Sequence, residues 1–476
     1  MHIIIVGAGM VGTQLARHLV QEKHDVSLIE SDEERARHAS NRLDCLVLQE
    51  GGNSLAALEE AGIAKADALV CVTGSDEMNM IICGLAASRY PGLLLIARVR
   101  NDDYARLNET LAEGPESRAL GIDHFVHPDE EAAGAVLNSL SHGAIGNILT
   151  FEGTPFELGS IDIAPRSDFD GFCLQDYRTL VNAESLIILV ERKGECFLPK
   201  GSTVLAGGDR IHILAKEDNM ETIFRHAGGV EKPLRRIGIV GGGRLGALIA
   251  EGLLGKTPEA PRRKGGFLSF FRAFVPKSTR RVVIIEQDYR VCKELAARFP
   301  AALVLNEDIS DESFVAEERI GNLDLIVTAT ANQELNMIAA IYLKSRGVSR
   351  AIAMVTSSGY EAIARRLGVD VVIPMKSVVV DSIISHLMGG GIRGVHRLGD
   401  GTVGIIEIEI GKESPAAEAP ITRFRLNAGG LVMLVNRDGS SFIPRGDYVF
   451  MAGDRVVLAA KNGSEGEIEK FFGEQK

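Results

Sequence analysis

His2-Ile3-Ile4-Ile5-Val6-Gly7-Ala8-Gly9-Met10-Val11-Gly12 decides how this chain is read. Apolar β-formers run into Gly-x-Gly-x-x-Gly, and a helical pattern follows from about Met10 to Gln21. Ile3 to Val6 have the continuous hydrophobicity of a strand buried on both faces. Gly7 permits the tight turn, Gly9 lets a pyrophosphate approach the backbone, and Gly12 lets the helix pack against the strand. The helix start, with Ala8, Met10 and Val11 around it, aims free N–H groups and a positive dipole end at bound phosphate. The glycine pattern alone is weak; its strand–turn–helix setting makes it a dinucleotide-binding fingerprint.

Outward from this loop, the second strand, Val26-Ser27-Leu28-Ile29, ends on Glu30, eighteen residues after Gly12. An acid there accepts hydrogen bonds from the adenosine ribose hydroxyls and repels a 2′-phosphate, so Glu30 favours NAD(H) over NADP(H). The alternatives are a solvated strand-end glutamate, or Asp32 in its place. Helical and buried-strand patterns then alternate through Leu46–Leu48, Ala68–Val72, Leu94–Val99 and Ile122–Val126. That alternation means an α/β, Rossmann-like, doubly wound parallel sheet. Ligands bind beyond the carboxyl ends of such strands, where Gly51 to Asn53, Thr73 and Arg98 also fall. Arg98 suits a phosphate; a surface ion pair is the equal alternative.

The fingerprint recurs. Ile237-Gly238-Ile239-Val240-Gly241-Gly242-Gly243-Arg244-Leu245-Gly246 repeats the first stretch, Val282 to Glu286 repeats the second strand and its acid, and Leu325 to Thr330 repeats the fourth. Internal duplication therefore organises the chain. Each nucleotide-domain pattern is followed by a small α+β module with short alternating strands; Pro444 matches Pro199 and Asp454 matches Asp209. The expected division is 1–140 and 235–388 for the nucleotide domains, 141–230 and 395–476 for the modules.

The second copy is not identical. Gln333 replaces Asp76, Asn306-Glu307-Asp308 replaces a glycine-containing loop, and Arg244 stands where Met10 stood. An arginine inside the glycine loop would put a fixed cation beside phosphate. The second site is thus expected to differ from the first in what it binds, or to be degenerate. The second copy also carries about 22 extra residues around 256–281, where eight cations face the single acid Glu259. Phe267, Phe270, Phe271 and Phe274 fall on one helical face there. This basic amphipathic stretch reads either as a surface for a membrane or membrane partner, or as a loop or helix kept to its own subunit.

Composition narrows the function classes. The formal charge of −12 argues against nucleic acid as the main partner. No apolar run reaches the ~18 residues of a membrane span, and the opening strand is unlike a signal peptide. The six cysteines lack any C-x-x-C spacing and read as small core residues rather than a metal or disulfide set.

Thr73-Gly74-Ser75-Asp76-Glu77-Met78-Asn79-Met80 and Ile96-Ala97-Arg98-Val99-Arg100, taken with the glycine loop and Glu30, resemble a known family. They are similar to the nucleotide-binding (RCK or KTN) domains that regulate potassium conductance, and most of all to the TrkA family of Trk potassium-uptake regulatory subunits. The resemblance extends over nearly the whole chain. It implies a cytoplasmic, peripheral subunit, commonly a homotetramer, beneath a membrane potassium transporter of the TrkH/TrkG type, whose gating follows nucleotide binding. It implies a nucleotide-site role for Gly7, Ala8, Gly9, Met10, Val11, Gly12, Glu30, Asn53, Thr73 and Arg98, with NAD(H) expected there. For the second site it implies the same of Gly241, Gly243, Arg244, Leu245, Gly246, Glu286 and Thr330. A related channel-regulator family has an arginine at the place of Arg244 meeting the terminal phosphate, which implies ATP or ADP. The competing class is an NAD-dependent oxidoreductase. That chemistry needs a proton donor beside the nicotinamide; only His124 and His127, near a strand end, are candidates. No Walker A lysine motif is present.

Overall fold

The computed structural model describes all residues except 106, 108–117, 142–147, 152–153, 229–233, 256–280, 388–391, 399–402, 425–428, 462–463 and 474–476. The basic phenylalanine-bearing segment therefore lies outside the described residues, apart from Arg281. The chain divides into two compact units. One joins the two nucleotide-domain segments, Met1–Ala144 and Leu234–Leu387; the other joins the two modules, Ile145–Pro233 and Met388–Lys476. The segments expected as four separate domains thus associate in pairs.

In the first unit, β1 (His2–Val6), β2 (Asp25–Ile29), β3 (Leu46–Leu48), β4 (Ala68–Cys71), β5 (Leu94–Arg98) and β6 (His124–Val126) form a sheet in the order β3-β2-β1-β4-β5-β6. All its pairings are parallel. Ile3, Ile4 and Ile5 are fully buried, as the unbroken apolar run of β1 requires. Chain order reverses between β1 and β4, which opens a crevice at their carboxyl ends. The second half repeats this topology with β12 (Arg236–Val240), β13 (Arg281–Glu286), β14 (Leu303–Asn306), β15 (Leu325–Thr328), β16 (Arg350–Val355) and β17 (Val371–Pro374).

The helices that matter for the site are α1 (Met10–Gln21), α2 (Asp76–Arg89), α3 (Pro128–Ser141), α4 (Arg244–Leu254), α5 (Gln333–Ser345) and α6 (Met375–Leu387). The helix after the sixth strand of each half crosses to the other half. α3 packs on α4 and β17, α6 packs on α1, β5 and β6, and α3 and α6 pack on each other. Ala132, Ala133, Val136, Leu137 and Leu140 of α3 share one buried cluster with Leu245, Leu248, Ile249 and Leu253 of α4. The crossing at Gly252 is close: a Cβ there would lie 2.2 Å from Leu137 Cδ1. Each half therefore leaves an apolar face that its own helices do not cover, and the other copy supplies the cover.

In the second unit, β7 (Ile148–Thr150), β8 (Phe156–Asp162), β9 (Ser185–Arg192), β10 (Glu195–Phe197) and β11 (Arg210–Lys216) form an antiparallel sheet, order β10-β9-β11-β8-β7. β18 (Ile392–Leu398), β19 (Val403–Glu409), β20 (Gly430–Arg437), β21 (Ser440–Phe442) and β22 (Arg455–Lys461) form its counterpart, order β18-β19-β22-β20-β21. The two sheets share a core containing Phe156, Leu189 and Leu214 from one and Ile405, Leu434 and Val457 from the other. The matched aspartates have a structural task. Asp209 holds Arg192 through both oxygens at 2.7 and 2.6 Å, and Asp454 holds Arg437 at 2.7 Å on both. Each also accepts a loop amide, from Ala206 and Met451 respectively, at 2.8 Å. His212 lies in β11 opposite Ser160, 2.9 Å from its hydroxyl, and is a strand residue.

Candidate functional site

The glycine loop acts as its spacing predicts. Gly7 has φ +107°, which favours glycine, and a Cβ on Gly12 would stand 1.9 Å from the Gly7 carbonyl oxygen. A Cβ on Gly9 would meet nothing within 4 Å, so that position faces open space. Gly9 caps α1 without a side-chain hydrogen bond, leaving the first N–H groups of the helix to a ligand. Val11 is buried and lines the first cavity; Leu245, its counterpart in the second copy, is buried in the core.

Glu30 is buried to 7% exposure at the end of β2. One carboxylate oxygen accepts from the Ala8 amide at 2.7 Å, the other from Asp32 at 3.0 Å. The acid therefore fixes the glycine loop before it meets any ribose. Glu30 also lines the cavity, where its carboxylate could accept from ribose hydroxyls. Asp32 instead caps the following helix, accepting from the Arg35 amide at 2.9 Å. Glu286 repeats the arrangement, accepting from Gly242 at 2.7 Å and Asp288 at 2.8 Å.

The Thr73–Asn79 motif is a loop staple that spacing did not reveal. Asn79 is fully buried; its oxygen accepts from the Thr73 amide at 2.9 Å and hydroxyl at 2.7 Å, and its amide donates to the Arg98 carbonyl at 2.8 Å. Asp76 accepts from the Arg100 and Asn101 amides at 2.7 and 2.8 Å. In the second copy, Asn336 binds Thr330 and the Met354 carbonyl in the same way, and Gln333 does the work of Asp76 by accepting from Thr356 at 3.0 Å. The Asp-to-Gln change thus preserves the fold of this loop.

Around the first crevice lies a cavity of about 800 Å³. Its wall includes Gly7, Gly9, Met10, Glu30, Asn53 and Thr73, together with the cations Arg35, Arg98, Arg100 and Lys376. Arg98 is not a surface residue: it is 8% exposed and donates to the Thr73 carbonyl. Its Nε has no hydrogen-bond partner. Burial, with Arg100 beside it, pushes its pKa down to about 10, so it stays charged at neutral pH. A buried, charged guanidinium bordering a cleft suits an anion. Thr356, Met375, Lys376 and Val379, all from the second half, complete the wall.

The second crevice differs where the cavity of the first depends on space and charge. Strand register puts Met354 in the place of Arg98, because Ala97 faces Cys71 as Ala353 faces Thr328. A Cβ on Gly52 would lie 2.2 Å from Val6; its counterpart Ile309 is buried in a cluster with Val240 and Ile285. Gly241, Gly243 and Gly246 keep the turn, with φ +99° at Gly241 and a hypothetical Gly246 Cβ 2.0 Å from the Gly241 oxygen. Arg244, expected beside phosphate, is held by carboxylates of the first half: it pairs with Asp102, lies 3.8 Å from Asp129, and stands 2.6 Å from His127 Nε2. Its reach follows from the packing of α4 on α3, which brings the helix start to these acids.

The two histidines considered for acid–base chemistry have structural positions. His127 is 2% exposed, with Nε2 2.9 Å from the Arg100 carbonyl and Nδ1 accepting from Glu130. His124 stacks on His386 of α6, ring centroids 4.0 Å apart. The cysteines are free, and no metal-binding cluster occurs among the described residues. Among the described residues no helix is long and apolar enough to cross a membrane.

Comparison with known proteins agrees with this architecture. The TrkA-N domain model matches residues 3–128 and 272–374, and the TrkA-C domain model matches 405–473. The second TrkA-N match begins beyond the Gly241–Gly246 loop, although the structure repeats that loop in full. "Trk system potassium uptake protein TrkA" of Haemophilus influenzae is 26% identical over 99% of this chain and 98% of its own length. A TrkA homolog of Methanosarcina mazei is 29% identical, covering 99% and 100%. Among solved structures, the GsuK RCK domain superposes with a TM-score of 0.55 at 17% identity, covering 98% of this chain and 94% of that one. The GsuK channel bound to NAD gives 0.55 at 17% identity, covering 99% and 78%. Two Rossmann-like halves with the family's domains at matching places, and relatives aligned from end to end, show that this chain belongs to the TrkA family of Trk potassium-uptake proteins.

Proposed function

We propose that the chain senses NAD(H) in the cavity of its first half and passes the occupancy of that site to a membrane potassium transporter. Membership of the TrkA family makes the chain a regulatory component of potassium uptake and not an enzyme. The observation that carries the finer reading is the contrast between two equivalent crevices. The first combines an open glycine loop, Glu30, a buried Arg98 and about 800 Å³ of space. The second has Ile309 and Met354 at the matching places. NAD bound to a GsuK channel of the same fold supports the ligand class. Glu30 favours NAD(H) over NADP(H), because a second negative charge near it would be repelled. ADP or ATP compete for the same phosphate-binding groups.

The second site is degenerate in this reading, with Arg244 recruited to the contact between halves. A homotetramer beneath a TrkH/TrkG-type subunit, at the inner membrane face, is the assembly in which such a sensor would gate. A ligand does this only by binding the two arrangements of the halves unequally.

Calorimetric titration of the full chain with NADH, NAD, NADPH, ADP and ATP tests the proposal. One NADH per chain is expected, weakened at least tenfold by Glu30→Ala and by Arg98→Ala, with NADPH binding more weakly than NADH. Two equal NADH sites, or an affinity indifferent to both substitutions, would overturn it. A hydride-transfer assay run alongside is expected to show no turnover.

A further inference from the structure

The two halves are related by pseudo-symmetry, and that relation pairs the start of one helix with the start of another. Met10 and Arg244 are the first residues of α1 and α4; Asp129 and Lys376 are the second residues of α3 and α6. On one side of the pseudo-axis, Arg244 meets Asp129 at 3.8 Å and also pairs with Asp102. That set of charges is complete within the protein. On the other side the matching positions hold Met10 and Lys376, a 65% exposed methionine and a lysine. The cation is present, and among the described residues no carboxylate forms an ion pair with it, although Glu30, Glu50 and Asp129 line the same cavity.

Lys376 lies where an anion would bind. It lines the first cavity together with Gly9, Met10 and Arg98. Its neighbour Ser377 is 3.3 Å from Gln14 Nε2, one turn into α1, so the start of α6 is docked over the start of α1. Burial pushes the Lys376 ammonium down, and no nearby carboxylate acts to raise it. The helix start of α1, the Arg98 side chain and this lysine all border one space.

We propose that Lys376, supplied by the second half, is a phosphate-binding residue of the first site, so that a bound dinucleotide or nucleoside diphosphate bridges the two halves. This rests on the reading of the first cavity as a nucleotide site. It also gives that reading a mechanical consequence. A ligand held by Gly9 and Arg98 on one half and Lys376 on the other binds best when α6 is docked on α1, so occupancy favours the docked arrangement. Unlike Arg244, which is engaged by protein carboxylates, Lys376 has no ion-pair partner among the described residues and would be engaged by the ligand's phosphate.

The test compares NADH, ADP and adenosine binding to the full chain carrying Lys376→Gln or Lys376→Arg, with melting in the absence of ligand as a check on folding. Lys376→Gln is expected to weaken NADH and ADP about tenfold, the loss of one charge-assisted hydrogen bond. Adenosine, which has no phosphate, should bind as to the wild type. Lys376→Arg should restore NADH affinity to within about threefold, since it keeps the charge. NADH affinity unchanged in Lys376→Gln would overturn the assignment, as would an equal loss for adenosine, which would mean a packing defect. A wild-type chain that binds NADH but ignores Lys376 refutes only this inference; a wild-type chain that binds no nucleotide refutes the site itself.

Discussion

The two nucleotide-type halves share a backbone plan and differ in what fills it. Both have the tight glycine turn, the strand-end acid bonded to a loop amide, and the buried asparagine that staples the fourth-strand loop. These features hold the fold and persist whether or not a ligand binds. The differences that shape the crevice are Gly52 against Ile309, Arg98 against Met354, and Met10 against Arg244; the Asp76-to-Gln333 change keeps a loop amide bonded in both halves. In the proposed reading, the second crevice keeps the structural elements of a nucleotide site without the groups that would hold the ligand. Glycine loop and acid together are therefore a signature of the fold, and the groups that shape space and charge around them decide binding.

Substitutions at matched positions can break this comparison. The largest effect is expected for Gly12→Ala and Gly246→Ala. Each Cβ would be driven into a backbone oxygen 1.9 or 2.0 Å away, costing about 1–3 kcal/mol of stability in both halves. Only Gly12→Ala should abolish NADH binding; a matching loss in Gly246→Ala would show that the second loop also takes ligand. Gly52→Ile converts the first crevice toward the second. NADH affinity should fall more than tenfold while the melting temperature moves less than for Gly12→Ala, and retained affinity would mean that Ile309 is not what closes the second site.

Asn79→Ala and Asn336→Ala each orphan buried backbone groups, with about 1–2 kcal/mol lost in chemical denaturation. Equal destabilisation is expected, with NADH affinity reduced by the first alone. A pH effect comes next. Burial and the neighbouring His124 hold His386 neutral down to about 4. Its folded pKa lies below the unfolded value, so stability is level above pH ~6.5 and falls as pH drops from there toward about 4. The loss should be about 1–2 kcal/mol after allowance for its partial exposure. His386→Phe should keep the stacked contact and flatten this decline, measured as unfolding midpoints at pH 7.5 and 5.0. The smallest effect is expected for Arg244→Met, which makes the second loop resemble the first. Its ion pairs are half-exposed, so about 1 kcal/mol or less should be lost, with NADH affinity unchanged.

Much of this was legible in sequence, for identifiable reasons. β1 and the glycine loop were legible because steric demands on a strand–turn–helix leave few residue choices. The duplication was legible because the same demands recur. Arg98 could be placed at a strand end but not inside a cavity, because burial depends on the loop that Asn79 pulls over it. Asn79 itself stood in a quoted motif without a role, since its partners are the Thr73 loop and the Arg98 carbonyl nineteen residues away. Arg244 was correctly singled out as unusual, yet its partners Asp102 and Asp129 lie more than a hundred residues earlier. Lys376 had no signal beyond its charge.

The amino-acid sequence by itself determined the local chemistry: a doubly wound sheet made twice, a glycine turn at the head of a helix, an acid eighteen residues on, and two small antiparallel modules. Those follow from periodicity and backbone sterics, which act over a few residues. Only the tertiary structure decided that the halves exchange helices, that Ile309 is buried in the core of the second half, and that Lys376 of the second half lines the cavity of the first. These depend on packing between segments far apart in the chain, where volume and charge are matched across space rather than along the sequence.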